Sequence, residues 1–517
     1  MISLAIPIIV VFISILLASW RSVMKLFKLP KILTSKLTKK VDINISHLPP
    51  SPPKLPIIGH LHLVGSLPHR SFQTLAKKYG PIMHLKLGSM PIIVVSSPDM
   101  AERLLRNHDV LCAKRPMSDV SHDLSYGSKG VIFTPYSAYW RNVRKLCVME
   151  LLSASKIRSF AWLRKEEIAK LVCSLKNASE ANQPIEVGAS VGGVLEELIY
   201  RMLYGSPKED LALRSVVLEA LRLSGTLNIS DYLTFLAPFD IQGLKRRIKK
   251  LMVTVDDVLE KIISNHEDEA KREQRTHKDL VDVMVSIMKN NNCPSSGPSY
   301  TIERDNIKAI LIDLVVPAID SATNIVRWAL ASLLKHPHKM KILQKEIESV
   351  VGMNRIVEEI DIPKFRYLDL VIKEIFRLYP IIFAPHEAME EFSFDGYKIP
   401  KGSQIFLNSW AIGRDPSIWS DNCEEFHPER FIDNDIDTIS GQDFRLAPFG
   451  FGRRRCPGTL LGLLNVKLLL SQLVHCFDWT MADGKSPEDL VLKEKFGLVM
   501  SMANDLVLIP KYRLHNV

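Results

Sequence analysis

The chain has 517 residues, 46% hydrophobic and 24% charged, with 30 Pro and 24 Gly; these are ordinary globular proportions, which exclude a mostly disordered chain, a collagen and a polytopic transporter. The net charge of +10 leaves nucleic acid, an anionic membrane and an acidic partner open. Seven cysteines at 112, 147, 173, 293, 423, 456 and 476 form no CxxC pair and are odd in number, which argues against a disulfide scaffold or a zinc ribbon and points to a reducing compartment.

No charged residue occurs in residues 1–20. As a helix this run covers about 30 Å, the thickness of a hydrocarbon core, so 1–20 is read as a transmembrane anchor, and as the one stretch apolar enough to span. A cleaved signal peptide is the alternative, but it calls for a basic n-region and a small-residue cleavage site, and neither is clear. Residues 21–40 hold seven basic residues and no acid. The segment 21–47 is therefore a basic juxtamembrane linker facing the cytoplasm. Much of the net charge is explained there, without nucleic acid. The sequons at Asn44, Asn177 and Asn228 then lie away from the glycosylation machinery and are chance matches.

Residues 48–60 begin with five prolines in nine residues, which excludes helix and central strand and predicts a stiff hinge. This hinge opens a single large unit, 48–517. The runs PIMHLKL and PIIVVSS flank a turn at Gly88–Pro91 and predict a β-hairpin. Ser97 as N-cap with Pro98 behind it opens a helix through about Asn107. From 139 to 380 the periodicity is mainly helical, with a polar break at 290–298. Five basic residues in the six from Lys245 to Lys250 read as a solvated helix face, since no aromatic interleaving supports a nucleic-acid patch. The pairs His60/His62 and His336/His338 lack a nearby carboxylate or third ligand and read as turn or surface histidines. Short strands with an Asp395–Gly396 turn follow Pro380, and an apolar helix follows Cys456.

The segment APFGFGRRRCPG, 447–458, places one cysteine in a glycine- and arginine-rich loop just before that helix. Neighbouring positive charge and a helix N-terminus favour a thiolate there. Glycines let backbone approach a flat ligand. The pattern Phe449-x-x-Gly452-x-Arg454-x-Cys456-x-Gly458 resembles the haem-binding loop of cytochrome P450 enzymes. The resemblance implies a mainly α fold with small β-sheets and haem b held by Cys456 as axial ligand to the iron, a thiolate that pushes electron density onto the metal. It also implies Arg454 on a haem propionate and Phe449 near the sulfur. Glu374 and Arg377 resemble the family's E-x-x-R pair, which share a helix face, and FHPERF resembles the motif that adds Arg430. Trp140 and Arg144 resemble W-x-x-x-R, two donors suited to propionates. The hinge and WAIGRDP, 410–416, point to the plant microsomal A-type group, which places the chain in the endoplasmic reticulum membrane by one span.

In the central helix, expected at about 303–336, the family's oxygen-activating motif reads here Pro317-Ala318-Ile319-Asp320-Ser321-Ala322. Asp320 keeps the acid and Ser321 the hydroxyl. Pro317 frees the Asp313 carbonyl, so a kink or local unwinding is expected. That kink either shapes the oxygen pocket or is structurally tolerated without a role. The resemblance assigns substrate-facing positions in loop 116–135, at Ile381, Ile382 and Phe383, and at Phe496, Leu498 and Val499. Their apolar character fits an apolar substrate such as a terpenoid, phenolic or alkaloid.

The resulting expectation is a membrane-anchored monooxygenase that inserts one atom of O2 into an apolar small molecule. No dinucleotide fingerprint is present, so electrons are expected from a separate NADPH-dependent reductase docking near Arg453, Arg454 and Arg455. A reductase-independent haem-thiolate isomerase or dehydratase, a ring-forming or desaturating oxidase, and a non-catalytic haem or lipid binder are the rivals.

Overall fold

The computed structural model describes residues 47–205, 219–220, 222–272, 278–290, 302–381, 384–434, 436–482, 484 and 486–515. The anchor expected at 1–20, nearly all of the linker, the break after Asn290, and Ile382 and Phe383 lie outside these residues. Within 47–517 the chain is mainly helical with small sheets.

Strands β1 (Ile82–Leu87) and β2 (Met90–Val95) pair antiparallel from Ile82↔Val95 to Leu87↔Met90. Strands β3 (His386–Glu387) and β4 (Gln404–Leu407) complete the sheet in the order β1-β2-β4-β3. The hairpin reverses at Gly88–Ser89, with Gly88 at φ 60°. Pro91 is not in the turn, as the sequence had suggested; it sits in β2 opposite Lys86. Its missing donor is tolerated because the parallel ladder to β4 starts one residue later, at Ile92↔Gln404. His60 lies in a turn, as expected, but is buried rather than at the surface. It ties the proline-rich hinge to β1, accepting from Lys86 N at 2.7 Å and donating to the Pro52 carbonyl at 2.8 Å.

Helix α1 (Pro98–His108) starts where Ser97 Oγ accepts from Met100 N at 3.3 Å. Helices α2 (Ala138–Leu146), α3 (Val187–Tyr204) and α4 (Leu244–Arg272) follow. The basic run at the start of α4 is a solvated face: Ile248 points inward with no exposure, while Lys245 pairs with Asp119 at 3.1 Å. The central helix α5 (Arg304–Lys335) runs unbroken through Pro317, so the local unwinding expected there is absent. It packs on α3, on α6 (Arg366–Leu378) and on α7 (Thr459–Cys476). Both α5 and α7 are long and apolar enough to cross a bilayer, beyond the one stretch read from the sequence, but they are mostly buried as core helices. Strands β5 (Phe477–Met481) and β6 (Val507–Tyr512), with Ile185–Glu186, form a second sheet at the C-terminal end.

One polar knot fixes α6 to the chain that leads into the cysteine loop. Glu374 and Arg377 are fully buried. Arg377 Nε and Nη2 donate to the two Glu374 oxygens, each at 2.7 Å. Its Nη1 donates to the Gly413 carbonyl at 2.6 Å and to that of Cys423. Arg430 Nε at 3.1 Å and His427 N at 2.7 Å complete the Glu374 carboxylate. Gly413 has to be glycine, because a Cβ there would collide with the Arg377 carbonyl. Removing one partner of a buried pair leaves an uncompensated charge and costs about 3–5 kcal/mol. Glu374→Gln is therefore expected to lower unfolding free energy by about that much, read by denaturant unfolding; an unchanged midpoint would refute the role.

Candidate active site

The cysteine loop is shaped by backbone geometry before side chains enter. Cys456 N donates to the Phe449 carbonyl at 2.8 Å, which closes the loop on itself. Gly452 has φ 56°, and a Cβ there would collide with the Asp109 carboxylate. Thr459 Oγ1 donates to the Cys456 carbonyl at 2.9 Å, at the first turn of α7. The Phe449 ring sits edge-on to Phe376 of α6 with centroids 5.5 Å apart. Gly458 presents its amide to the sulfur.

The sequence pointed to a thiol shifted toward thiolate. Instead, burial pushes the Cys456 thiol up; the Gly458 amide, Arg144, the Thr459 side chain and Arg455 pull it down without winning. A bound cation deprotonates such a thiol outright, so this sulfur is suited to a metal rather than to free nucleophilic chemistry.

Beside the loop lies a group of cations, of which Arg454 is buried and Arg144 and Arg115 are half-buried. Arg454 is 7% exposed, which removes it from the positive surface expected of Arg453–Arg455. Its guanidinium lies 4.4 Å from the Trp140 ring centroid. It donates to the carbonyls of Ala113 at 2.6 Å, Val131 at 3.1 Å and Ile132 at 3.2 Å, and to that of Thr134. Trp140 Nε1 donates to Val131 O at 2.9 Å, and Arg144 Nη2 to Arg455 O. Arg115 joins them, held by the Ala384 carbonyl at 2.7 Å and that of Pro385 at 2.9 Å.

Desolvation pulls Arg454 down to about 9, with Arg115 and Arg144 adding repulsion. It pulls Arg115 down to about 10 and lowers Arg144 as well. Burial likewise drives His386 down to about 3. Three desolvated guanidiniums with Asp313 as the acid acting on Arg454 make a site that favours an anion. A group with two carboxylates and a cation for the half-buried cysteine fits this donor set, and haem has both features. Arg115, His386 and Asp313 were not legible in the sequence, because no local motif surrounds them.

The expected oxygen-side residues lie on α5. Ser321 Oγ donates to the Pro317 carbonyl at 2.8 Å. Asp320 accepts from Asn324 Nδ2 at 2.9 Å on Oδ1, and burial raises its carboxyl. Of the substrate-facing positions, Ile381 and Val499 are buried and adjoin, with Met500 N donating to the Ile381 carbonyl at 2.7 Å. Leu498 is 40% exposed and abuts Gly225. Phe496 stacks on His69 at 5.8 Å, in a cluster with Trp410.

The model of the cytochrome P450 family matches residues 49–508. A cytochrome P450 of Panax ginseng, CYP736A12, is 47% identical, covering 90% of this chain and 94% of its own. The 2-methylbutanal oxime monooxygenase of Manihot esculenta is 36% identical, covering 95% and 97%. A zebra fish cytochrome P450 structure determined with abiraterone superposes with a TM-score of 0.70 at 25% identity, over 86% of this chain and 100% of that one. With the match running from the proline-rich hinge into the last strand, this chain is an enzyme of the cytochrome P450 family.

Proposed function

We propose that this enzyme is a haem-thiolate monooxygenase that inserts one atom of O2 into an apolar small molecule, in the chemical range of plant specialised metabolites. The carrying observation is Cys456, a half-buried thiol in a glycine-bent loop beside three desolvated arginines. Bound at Cys456, haem supplies the activation of O2. The chain's own residues do the rest. Arg454, Arg144 and Arg115 offer donors to the two carboxylates, while Trp140, whose one donor goes to the Val131 carbonyl, lies against the Arg454 guanidinium. Val131, Ile381 and Val499 are buried apolar side chains from the segments assigned to substrate. Asp320, whose raised carboxyl binds a proton readily, and Ser321, whose hydroxyl proton rests on the Pro317 carbonyl, hold protons on α5.

Electrons come from a separate NADPH-dependent reductase. The surface near the cysteine loop that suits an acidic partner is carried by Arg141, Lys145 and Arg453, which are exposed; Arg453 also pairs with Asp109.

A location on the cytoplasmic side of the endoplasmic reticulum membrane is supported by the sequence of residues 1–40 and by exposed apolar side chains. Phe235, Phe239 and Ile241 are 60%, 69% and 63% exposed, and Ile57 is 73% exposed. These segments are joined through the hairpin: Ser89 N and Oγ donate to the Tyr232 carbonyl at 2.8 and 2.9 Å, and Gly88 N to that of Ile58 at 3.0 Å. Large apolar side chains exposed on joined segments mark a contact with membrane or partner.

Three measurements test the reading. Reduced enzyme with carbon monoxide is expected to show the red-shifted Soret band of thiolate ligation, and Cys456→Ala to lose it; a retained band in the variant refutes the ligand. Ser321→Ala is expected to keep the substrate-induced spectral shift while product per NADPH falls by about tenfold or less, below the ~10²–10⁴-fold of a dedicated proton donor, because water replaces the hydroxyl in part. An unchanged ratio removes Ser321 from the mechanism. Deleting residues 1–20 is expected to leave part of the enzyme on microsomes, and adding Phe235→Ser with Phe239→Ser to release it. Full release by the deletion alone would refute the second contact.

A further inference from the structure

We infer that Asp313 is a positioning residue for Arg454, acting as the far half of an ion pair bridged by the Val131–Ile132 peptide. The inference deepens the haem-thiolate reading and rests on it. Asp313 lies on α5 one turn before Pro317 and is 6% exposed. Its Oδ2 accepts from Val131 N at 2.6 Å and from Ile132 N at 2.9 Å. The Ile132 N–H and the Val131 carbonyl belong to one peptide group. That carbonyl accepts from Arg454 Nη1 at 3.1 Å and from Trp140 Nε1 at 2.9 Å. The peptide dipole therefore runs with its positive end on the carboxylate and its negative end on the guanidinium, the orientation that stabilises both charges.

Three features show that the bridge is built for this fit. Gly130 admits no side chain, because a Cβ would collide with Asp313 Oδ2. Thr134 Oγ1 lies 2.5 Å from the carbonyls of both Gly130 and Ser128, shares its one proton between them, and stiffens the loop that carries the bridging peptide. Thr134 then offers its own carbonyl to Arg454. Burial pushes the Asp313 carboxyl up to about 6, still below neutrality, while the Ile132 and Val131 amides and the Arg454 charge pull it down; Asp313 in turn favours the charged form of Arg454. Arg454 is otherwise pushed by Arg115 and Arg144, so without Asp313 the guanidinium loses the acid that acts on it.

The test uses the full-length holoenzyme and the rate of haem transfer to excess apomyoglobin, with the carbon monoxide spectrum and thermal midpoint recorded alongside. Outer partners of a ligand set are worth roughly 10–100-fold in retention. Asp313→Ala is expected to speed haem transfer by about that factor while the thiolate band stays in place. Asp313→Asn keeps an acceptor oxygen for both amides but removes the charge, and is expected to lie between Asp313→Ala and wild type. Arg454→Lys combined with Asp313→Ala is expected to be no faster than the faster single variant, because both act through one chain of bonds. Should Asp313→Ala fail to fold, the isosteric Asp313→Asn decides. Transfer rates within twofold of wild type in the Asp313 variants, or effects that multiply in the double variant, would overturn the inference. Absence of the thiolate band in the wild type would instead overturn the haem-thiolate reading.

Discussion

The structure depends first on a carboxylate and a guanidinium placed where no water reaches. Glu374 and Arg377 occupy one face of α6, but their pairing alone would not hold them in an interior. The costs of desolvation are offset only because the remaining donors and acceptors are filled by Gly413, Cys423, Glu425, His427 and Arg430. These partners lie along the irregular chain between β4 and the cysteine loop. A segment with little secondary structure of its own is thus given a fixed path, and Cys456 inherits its position from it.

The site itself is made of groups that are unfavourable in isolation. A desolvated thiol resists ionisation, and Arg115 and Arg144 repel the buried Arg454. A ligand that brings a cation to the sulfur and two anions to the arginines relieves both at once. Binding of such a group is therefore part of folding free energy, since the unfolded chain has no equivalent site.

What could be read in the sequence was what is local in it. The loop 447–458 announces itself because glycine, arginine and cysteine are packed into twelve residues, and the i, i+3 spacing of Glu374 and Arg377 is visible on any helix. The limits of α1 and α5 follow from Ser97, Pro98 and the length of the apolar periodicity. Asp313, Gly130, Arg115 and His386 were invisible for the opposite reason: each acquires its meaning from residues as far as 274 positions away, as with His386 and the Cys112 carbonyl. The direction of the Cys456 shift was misread because neighbouring charge is written in the sequence and burial is not. Pro91 was misplaced because a two-residue turn at Gly88–Ser89 was enough to reverse the chain.

The other sulfurs carry a consequence for the enzyme's own chemistry. Cys112, Cys147 and Cys476 are fully buried, and their thiols are pushed up to about 12 by desolvation. Thiolates react with peroxides and thiols do so poorly. A catalyst that leaks peroxide when turnover is uncoupled exposes its own cysteines to that oxidant. Placing these three where they stay protonated makes the interior chemically inert to that by-product. Among the described cysteines, the exposed Cys173 is left as the site where self-inflicted oxidation would first be recorded.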